Sequence, residues 1–252
     1  MSVHHGPKTD LQKLKTLAHC LLQIEPEKTD YSPMIIRHPF TDSGIVPMKN
    51  EDGSLRIGNI MEGEDDLRNW RNNVGEIIDE ADSAFSIYTR ITKPYLLAFV
   101  KFAAPSLSKE DFTKMFADAW VRSEMPNHDP NITRREMLSM FRSADPALLM
   151  DPEELSQLQA LEDTVTVYRG VRSSRPGSVK ALSWTLSQDT AQWFANRYGK
   201  TGTVYEATID KKHIHALFLG RNESEVIVDP KYLCGITQVQ ELAHGAMTME
   251  EL

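Results

Sequence analysis

The chain has 252 residues (28.6 kDa), 40% of them hydrophobic and 25% charged, a globular composition with room for one large domain or two modest ones. No apolar run reaches the ~18 residues of a membrane span, no apolar segment follows the charges of the N-terminal MSVHHGPKTD, and two cysteines, Cys20 and Cys234, are too few for a disulfide scaffold. The net charge is −8; cutting at residue 150 leaves 18 basic against 22 acidic residues and then 10 against 14, so neither part is a basic arm and general binding to nucleic acid or anionic lipid is disfavoured.

These bounds predict a non-membrane protein of a reducing, cytoplasmic setting. Leu11, Leu14, Leu17, Ala18, Leu21 and Leu22 recur at helical spacing and predict a first amphipathic helix. From Tyr31 to Ile60, Pro33, Pro39, Pro47 and the Asp52-Gly53 pair read as loops and short extended pieces. His4 and His5 form a tandem pair at a polar terminus, a pattern of solvated residues more than of a metal site.

From Asp65 to about Leu161 the pattern is helical. Leu67, Trp70, Val74, Ile77 and Ile78 make one stripe, and Pro94 opens a second apolar stretch, where its missing N–H does least harm. Ser108 reads as an N-cap ahead of Phe112, Met115, Phe116, Ala119 and Trp120. Thr133 and Glu136 fit a capping box, and Pro152 opens a further helix. These Met and aromatic stripes read as core rather than as a cofactor box.

After Glu162 the period changes. Thr164–Tyr168 alternates as a strand, Ala181–Trp184 is short and strand-like, and Ser187 and Asp189 start a helix with Ala191, Phe194, Ala195 and Tyr198 on its buried stripe and Gly199 at its end. Thr203–Ile209, Ile214–Leu219 and Glu225–Val228 then read as strands. The expected fold class is α+β, with a mainly helical region over 1–162 and a strand-rich unit over 163–252.

Gly199-Lys200-Thr201 lacks the earlier glycine of a phosphate loop and follows a helix instead of preceding one, so it is a turn. Each cysteine is a single thiol and reads as buried packing. His213 and His215 would share a strand face but lack a carboxylate or thiol partner, so no metal site is expected.

Three elements in order carry chemistry: Tyr168-Arg169-Gly170 at a strand end; Ser183-Trp184-Thr185-Leu186-Ser187 running into a helix; and Glu223-Ser224-Glu225 ahead of Val226-Ile227-Val228. Taken singly, they are a surface arginine, a capped turn and an exposed strand edge. In combination, Arg169 can grip a pyrophosphate with its planar fork, and Gly170 lets a ligand approach the main chain. Residues i and i+2 of a strand point the same way, so Glu223 and Glu225 would present two carboxylates about 7 Å apart at Cα. Such a pair can divide labour between stabilising positive charge and accepting a proton.

The order aromatic-Arg, Ser-x-Thr-x-Ser, Glu-x-Glu resembles the Arg-Ser-Glu class of mono-ADP-ribosyltransferases, a glycosyltransferase class that includes bacterial toxins and phage enzymes. The resemblance covers roughly residues 164–235. It implies a split β-sandwich fold, NAD as co-substrate, no metal, a protein acceptor (arginine favoured by the carboxylate at position 223), and a cytoplasmic location or delivery into a target cell. It implies that Arg169 binds the NAD phosphates, Gly170 meets the nicotinamide carboxamide and Ser183 hydrogen-bonds the catalytic Glu225. Glu225 would bind the ribose 2′-hydroxyl and stabilise the oxocarbenium ion, and Glu223 would orient or deprotonate the acceptor. Thr185 and Ser187 would shape the strand-to-helix corner beside the cofactor. Trp184 would line the nicotinamide pocket or pack in its strand, Phe218 would recognise the acceptor or fill the core, and Arg221 would contact NAD or balance the glutamates. No motif matches a long phosphate loop, with Arg197 and Lys200 the nearest cations. An NAD glycohydrolase with the same site and an inactive binding module with the same fold are the alternatives.

Overall fold

The computed structural model describes residues 3, 5–50, 52–124, 126–172, 176–197 and 202–239. The protein is a mixed α+β structure in two compact units, Met1–Asp151 and Pro152–Leu252. This division falls ahead of the helix opened by Pro152, whereas the change of period in the sequence falls after it.

In the first unit, α1 (Leu11–Leu22) starts at Asp10, whose carboxylate accepts from Lys13 N, and buries Leu14, Ala18 and Leu22. The proline-rich stretch that follows is more regular than its composition suggests. Strands β1 (Glu27–Lys28), β2 (Ile35–His38) and β3 (Thr41–Ser43) form an antiparallel sheet, and β4 (Ile45–Lys49) pairs with β5 (Leu55–Asn59) as a hairpin. Gly53 turns that hairpin at φ 84°, a conformation a side chain would resist.

The helices then follow: α2 (Glu64–Glu80), α3 (Ala84–Tyr88), α4 (Leu96–Ala103), α5 (Lys109–Arg122), α6 (Arg134–Ser143) and α7 (Pro146–Leu149). On α2 the buried line runs through Trp70, Gly75 and Ile78, and Ile77 is exposed, one step off the expected stripe. Ser108 caps α5 by accepting from Asp111 N. Thr133 and Glu136 form the reciprocal capping box at α6, with both bonds present. The Met and aromatic residues of α5 and α6 pack on one another: Phe141 meets Phe116 and Trp120 edge-on, at 4.7 and 4.8 Å between ring centroids.

The second unit opens with α8 (Pro152–Ala160) and holds one antiparallel six-stranded sheet with α9 (Pro176–Val179) and α10 (Gln188–Asn196). Its strands are β6 (Thr164–Val171), β7 (Ser183–Thr185), β8 (Thr203–Asp210), β9 (Ile214–Phe218), β10 (Glu225–Val228) and β11 (Cys234–Gln238), in the order β11-β8-β6-β7-β10-β9. β6 pairs with β8 along its whole length but, among the described residues, meets β7 only at Tyr168 and Thr185. The sheet therefore forks there, into β11-β8-β6 and β7-β10-β9. One face carries the apolar side chains of Val165, Val167, Trp184, Leu217 and Val226, all buried. On the other, α10 seats Ala191 and Ala195 against Val204 and Tyr168.

Candidate functional site at the fork of the sheet

Cross-strand partners share a face. Tyr168 pairs with Glu206 on one side and Thr185 on the other; Thr185 pairs with Glu225, and Glu225 with Phe218. One row thus crosses five strands as Glu206, Tyr168, Thr185, Glu225, Phe218. Ser183 lies two residues along β7 from Thr185, on the same face and diagonal to Glu225. Its hydroxyl donates a hydrogen bond to Glu225 Oε1. Both side chains are half-buried, and a hydroxyl-to-carboxylate bond of this kind is charge-assisted and fixes the carboxylate's orientation.

Arg169 reaches the same strand by its main chain. Its Nε donates to Ser178 O at 2.7 Å and its Nη1 to Ser183 O. The guanidinium therefore ties β6 to β7 beside the fork. Arg169, Ser183 and Glu225, from three strands and 57 residues of chain (positions 169 to 225), form one hydrogen-bonded series. A phosphate grip by Arg169 would have to coexist with these two carbonyls or displace them.

The glutamate pair is not the strand pair its spacing predicts. β10 begins at Glu225, while Glu223 sits in the preceding turn at φ −89°, ψ −17°. Between them Ser224 has φ 43°, and Asn222 ahead of them φ 56°. The left-handed residue breaks the alternation, so the two carboxylates are not i and i+2 of one strand face. Two non-glycine residues in that region within three positions store backbone strain, ~1–3 kcal/mol each, which the surroundings must hold in place. They do so through Thr185 Oγ1, which donates to Glu223 O at 2.6 Å, and Leu186 N, which donates to Ser224 O at 3.1 Å.

Several expected roles change with this geometry. Thr185 is buried, and its hydroxyl also accepts from Ser187 N at 3.0 Å, so it braces the corner and the turn in place of a ligand. Ser187 is the N-cap of α10, accepting from Thr190 N. Gly170 does meet a backbone, but that of α10: a Cβ there would stand 1.9 Å from Ala191 O, so the approach expected of a ligand is taken by a helix. Trp184 is 2% exposed and its indole donates to Ala181 O at 3.1 Å, the strand-packing alternative; no face of it is left for a pocket. Phe218 is 5% exposed and belongs to the core, not to an acceptor surface. The Arg221 side chain, Tyr198, Gly199 and Lys200 lie outside the described residues. Arg197 stacks its guanidinium on Phe194, 5.2 Å from the ring centroid.

Both cysteines are exposed, contrary to the buried packing expected of them. His213 lies in a turn ahead of β9 and stacks flat on Tyr232, 3.4 Å between centroids, so it does not share a strand face with His215. Among the described residues no group of three His, Cys, Asp or Glu side chains is placed to hold a metal ion, and no helix is long and apolar enough to cross a membrane.

Sequence reasoning missed Glu206 and the role of Tyr168. Tyr168 and Glu206 are cross-strand neighbours, and burial first, then the Glu206 carboxylate, push the phenol's pKa up. The alternation of β8 was visible, but only the β6–β8 register places Glu206 in the row. Comparison of the chain with family models, curated proteins and solved structures returns no match.

Proposed function

We propose that the second unit is an NAD-dependent mono-ADP-ribosyltransferase with a split β-sandwich fold, transferring ADP-ribose to a protein acceptor with release of nicotinamide. The observation that carries this reading is the Ser183 hydroxyl on the Glu225 carboxylate, with Arg169 bonded to the same serine's carbonyl. The fork between β6 and β7 supports the split sheet. A carboxylate held in one orientation, half-buried, is suited to stabilising positive charge as it develops on a ribose. In the reaction the bond between ribose C1′ and the nicotinamide nitrogen breaks, and its electron pair leaves with nicotinamide. A lone pair of the acceptor forms the new bond to C1′, and the acceptor's proton passes to Glu223. Glu225 would also accept from the ribose 2′-hydroxyl. Arg169 would meet the phosphates by exchanging carbonyl partners for phosphate oxygens.

The place of Glu223 in a turn favours a second reading with the same site, in which water is the acceptor and the product is free ADP-ribose. The test is incubation with labelled NAD and a cell lysate, beside Glu225→Gln. Labelled protein that is lost in the variant supports transfer, with the rate falling ~10²–10³-fold as for loss of a preorganised electrostatic group. Free ADP-ribose without labelled protein supports the hydrolase. No NAD turnover and no NAD binding by calorimetry would refute both and leave an inactive binding module.

A further inference from the structure

We infer that Glu154, on α8, is a positioning residue that fixes the turn carrying Glu223 and so governs use of the acceptor; this rests on the reading of the site given above. Among the described residues β9 is an edge strand of the sheet, and the outward main-chain groups of an edge need partners from elsewhere. The carboxylate of Glu154 supplies one: its Oε1 accepts from Leu219 N at 2.8 Å. Glu154 is 9% exposed, the one buried residue of α8. A buried carboxylate on a main-chain N–H is a strong, charge-assisted contact.

Leu219 is where β9 ends and the turn begins. Asn222 N bonds back to Leu219 O at 3.2 Å and Glu223 N to Gly220 O at 3.4 Å, so the short helical turn Gly220–Asn222 hangs from this residue. The far end of the turn is held by Thr185 Oγ1 on Glu223 O and Leu186 N on Ser224 O. Between the two attachments runs the turn Gly220–Asn222 with the left-handed Asn222, and Glu223 follows it directly at the start of the far attachment, ahead of the left-handed Ser224. The strained segment is thus stretched between a helix on one side and β7 on the other. Ser183 and Glu225 do not depend on it, because the β7–β10 ladder holds them directly. Loosening Leu219 therefore displaces Glu223 and leaves the cleavage of NAD in place.

The experiment uses the full chain, Glu154→Ala and Glu154→Gln, with NAD, and agmatine as a small guanidino acceptor. Nicotinamide release in water, agmatine labelling and hydrogen exchange of peptides spanning residues 217–224 are measured together. In Glu154→Ala, labelling falls about tenfold, the scale of losing one hydrogen bond to a charged group, with hydrolysis within about twofold and exchange faster. Glu154→Gln, whose amide oxygen can still accept from Leu219 N, keeps all three near wild type. Labelling and hydrolysis falling together, or unaltered exchange in Glu154→Ala, overturns the proposal. Wild-type protein that releases no nicotinamide defeats the reading of the site and with it the acceptor role. The exchange data alone then decide whether Glu154 holds the turn.

Discussion

Gly170→Ala is the most demanding test of the second unit's packing. The added Cβ would stand 1.9 Å from Ala191 O and 2.6 Å from Ala195 N. Both are main-chain atoms of α10, so no side chain can rotate out of the way. Ordinary contact begins at 3.4 Å, which requires α10 to lift off β6 by about 1.5 Å. That movement would pull Ala191 and Ala195, both fully enclosed, away from Val204 and Tyr168. Overpacking a close-packed interior costs ~1–3 kcal/mol, and two backbone contacts under 3 Å put this substitution at the upper end, about 3 kcal/mol. At ~4–8 °C per kcal/mol for a domain of this size, the unit's thermal transition should fall by roughly 12–24 °C. Hydrogen exchange of β6 and α10 peptides across a urea series reads this unit by itself. Gly220→Ala is the control: nothing lies within 4 Å of its added Cβ, and it should change stability by less than ~0.5 kcal/mol. A Gly170→Ala protein as stable as this control would refute the claim that helix packing, not ligand approach, requires glycine at 170.

Ser183→Ala removes the donor that orients Glu225 and should slow nicotinamide release ~10–100-fold, the worth of a hydrogen bond to a charged group; an unchanged rate in steady-state assays would contradict the role given to it. Thr133→Ala should destabilise the first unit by ~1 kcal/mol in urea titration. It should also raise the pKa of Glu136, now held at about 2 first by the Thr133 N–H, then by its hydroxyl and by Lys101, only part of the way in an NMR titration, because the N–H and Lys101 remain. His38 is 1% exposed and its Nδ1 accepts from Phe40 N; burial, opposed by the Ile24 and Leu22 carbonyls and by Glu25 and aided by Arg71, lowers its pKa from 6.5 to about 4. Above pH 6.5 the ring is neutral folded or unfolded. As pH falls from 6.5 to 4 the unfolded chain gains a proton that the folded ring does not, so stability drops by about 3 kcal/mol and then levels. Urea midpoints of peptides in β2 at pH 7 and pH 4.5 should differ in wild type and lose much of that difference in His38→Gln.

The parts of the chain that the sequence made legible are those whose physics is local. Ser108, Thr133 and Ser187 announce helices because a side-chain cap acts within three residues, and each does cap one. Glu225–Val228 is read correctly because its apolar run needs no register to be recognised. What was not legible depends on neighbours distant in sequence. Trp184 could have faced a pocket until its strand's alternation and the Ala181 carbonyl enclosed it. Phe218 shows the same dependence, through its pairing with Glu225. β11 carries neither alternation nor an apolar run, since it is an exposed edge strand, and gave no signal. The strand reading of Glu223 failed on the conformation of one residue, Ser224, that nothing in its side chain predicts.

That failure bears on how the two carboxylates would divide their work. Had both projected from one strand, they would have been equally rigid and their roles exchangeable. Instead Glu225 stands on a strand, in the β7–β10–β9 ladder with the Ser183 hydroxyl on its carboxylate, whereas Glu223 stands in a strained turn whose main chain is bonded at its two ends. A group that must meet a developing positive charge gains most from preorganisation, because any reorientation adds to the barrier. A group that must take a proton from acceptors of varied shape gains from limited freedom. The rigid position therefore suits the step common to transfer and hydrolysis, and the turn suits the step that separates them. Grafting rigidity onto the turn should then shift the balance between the two products without altering the rate at which nicotinamide leaves. A change at Ser183 should do the reverse, slowing both products equally and leaving their ratio as it was.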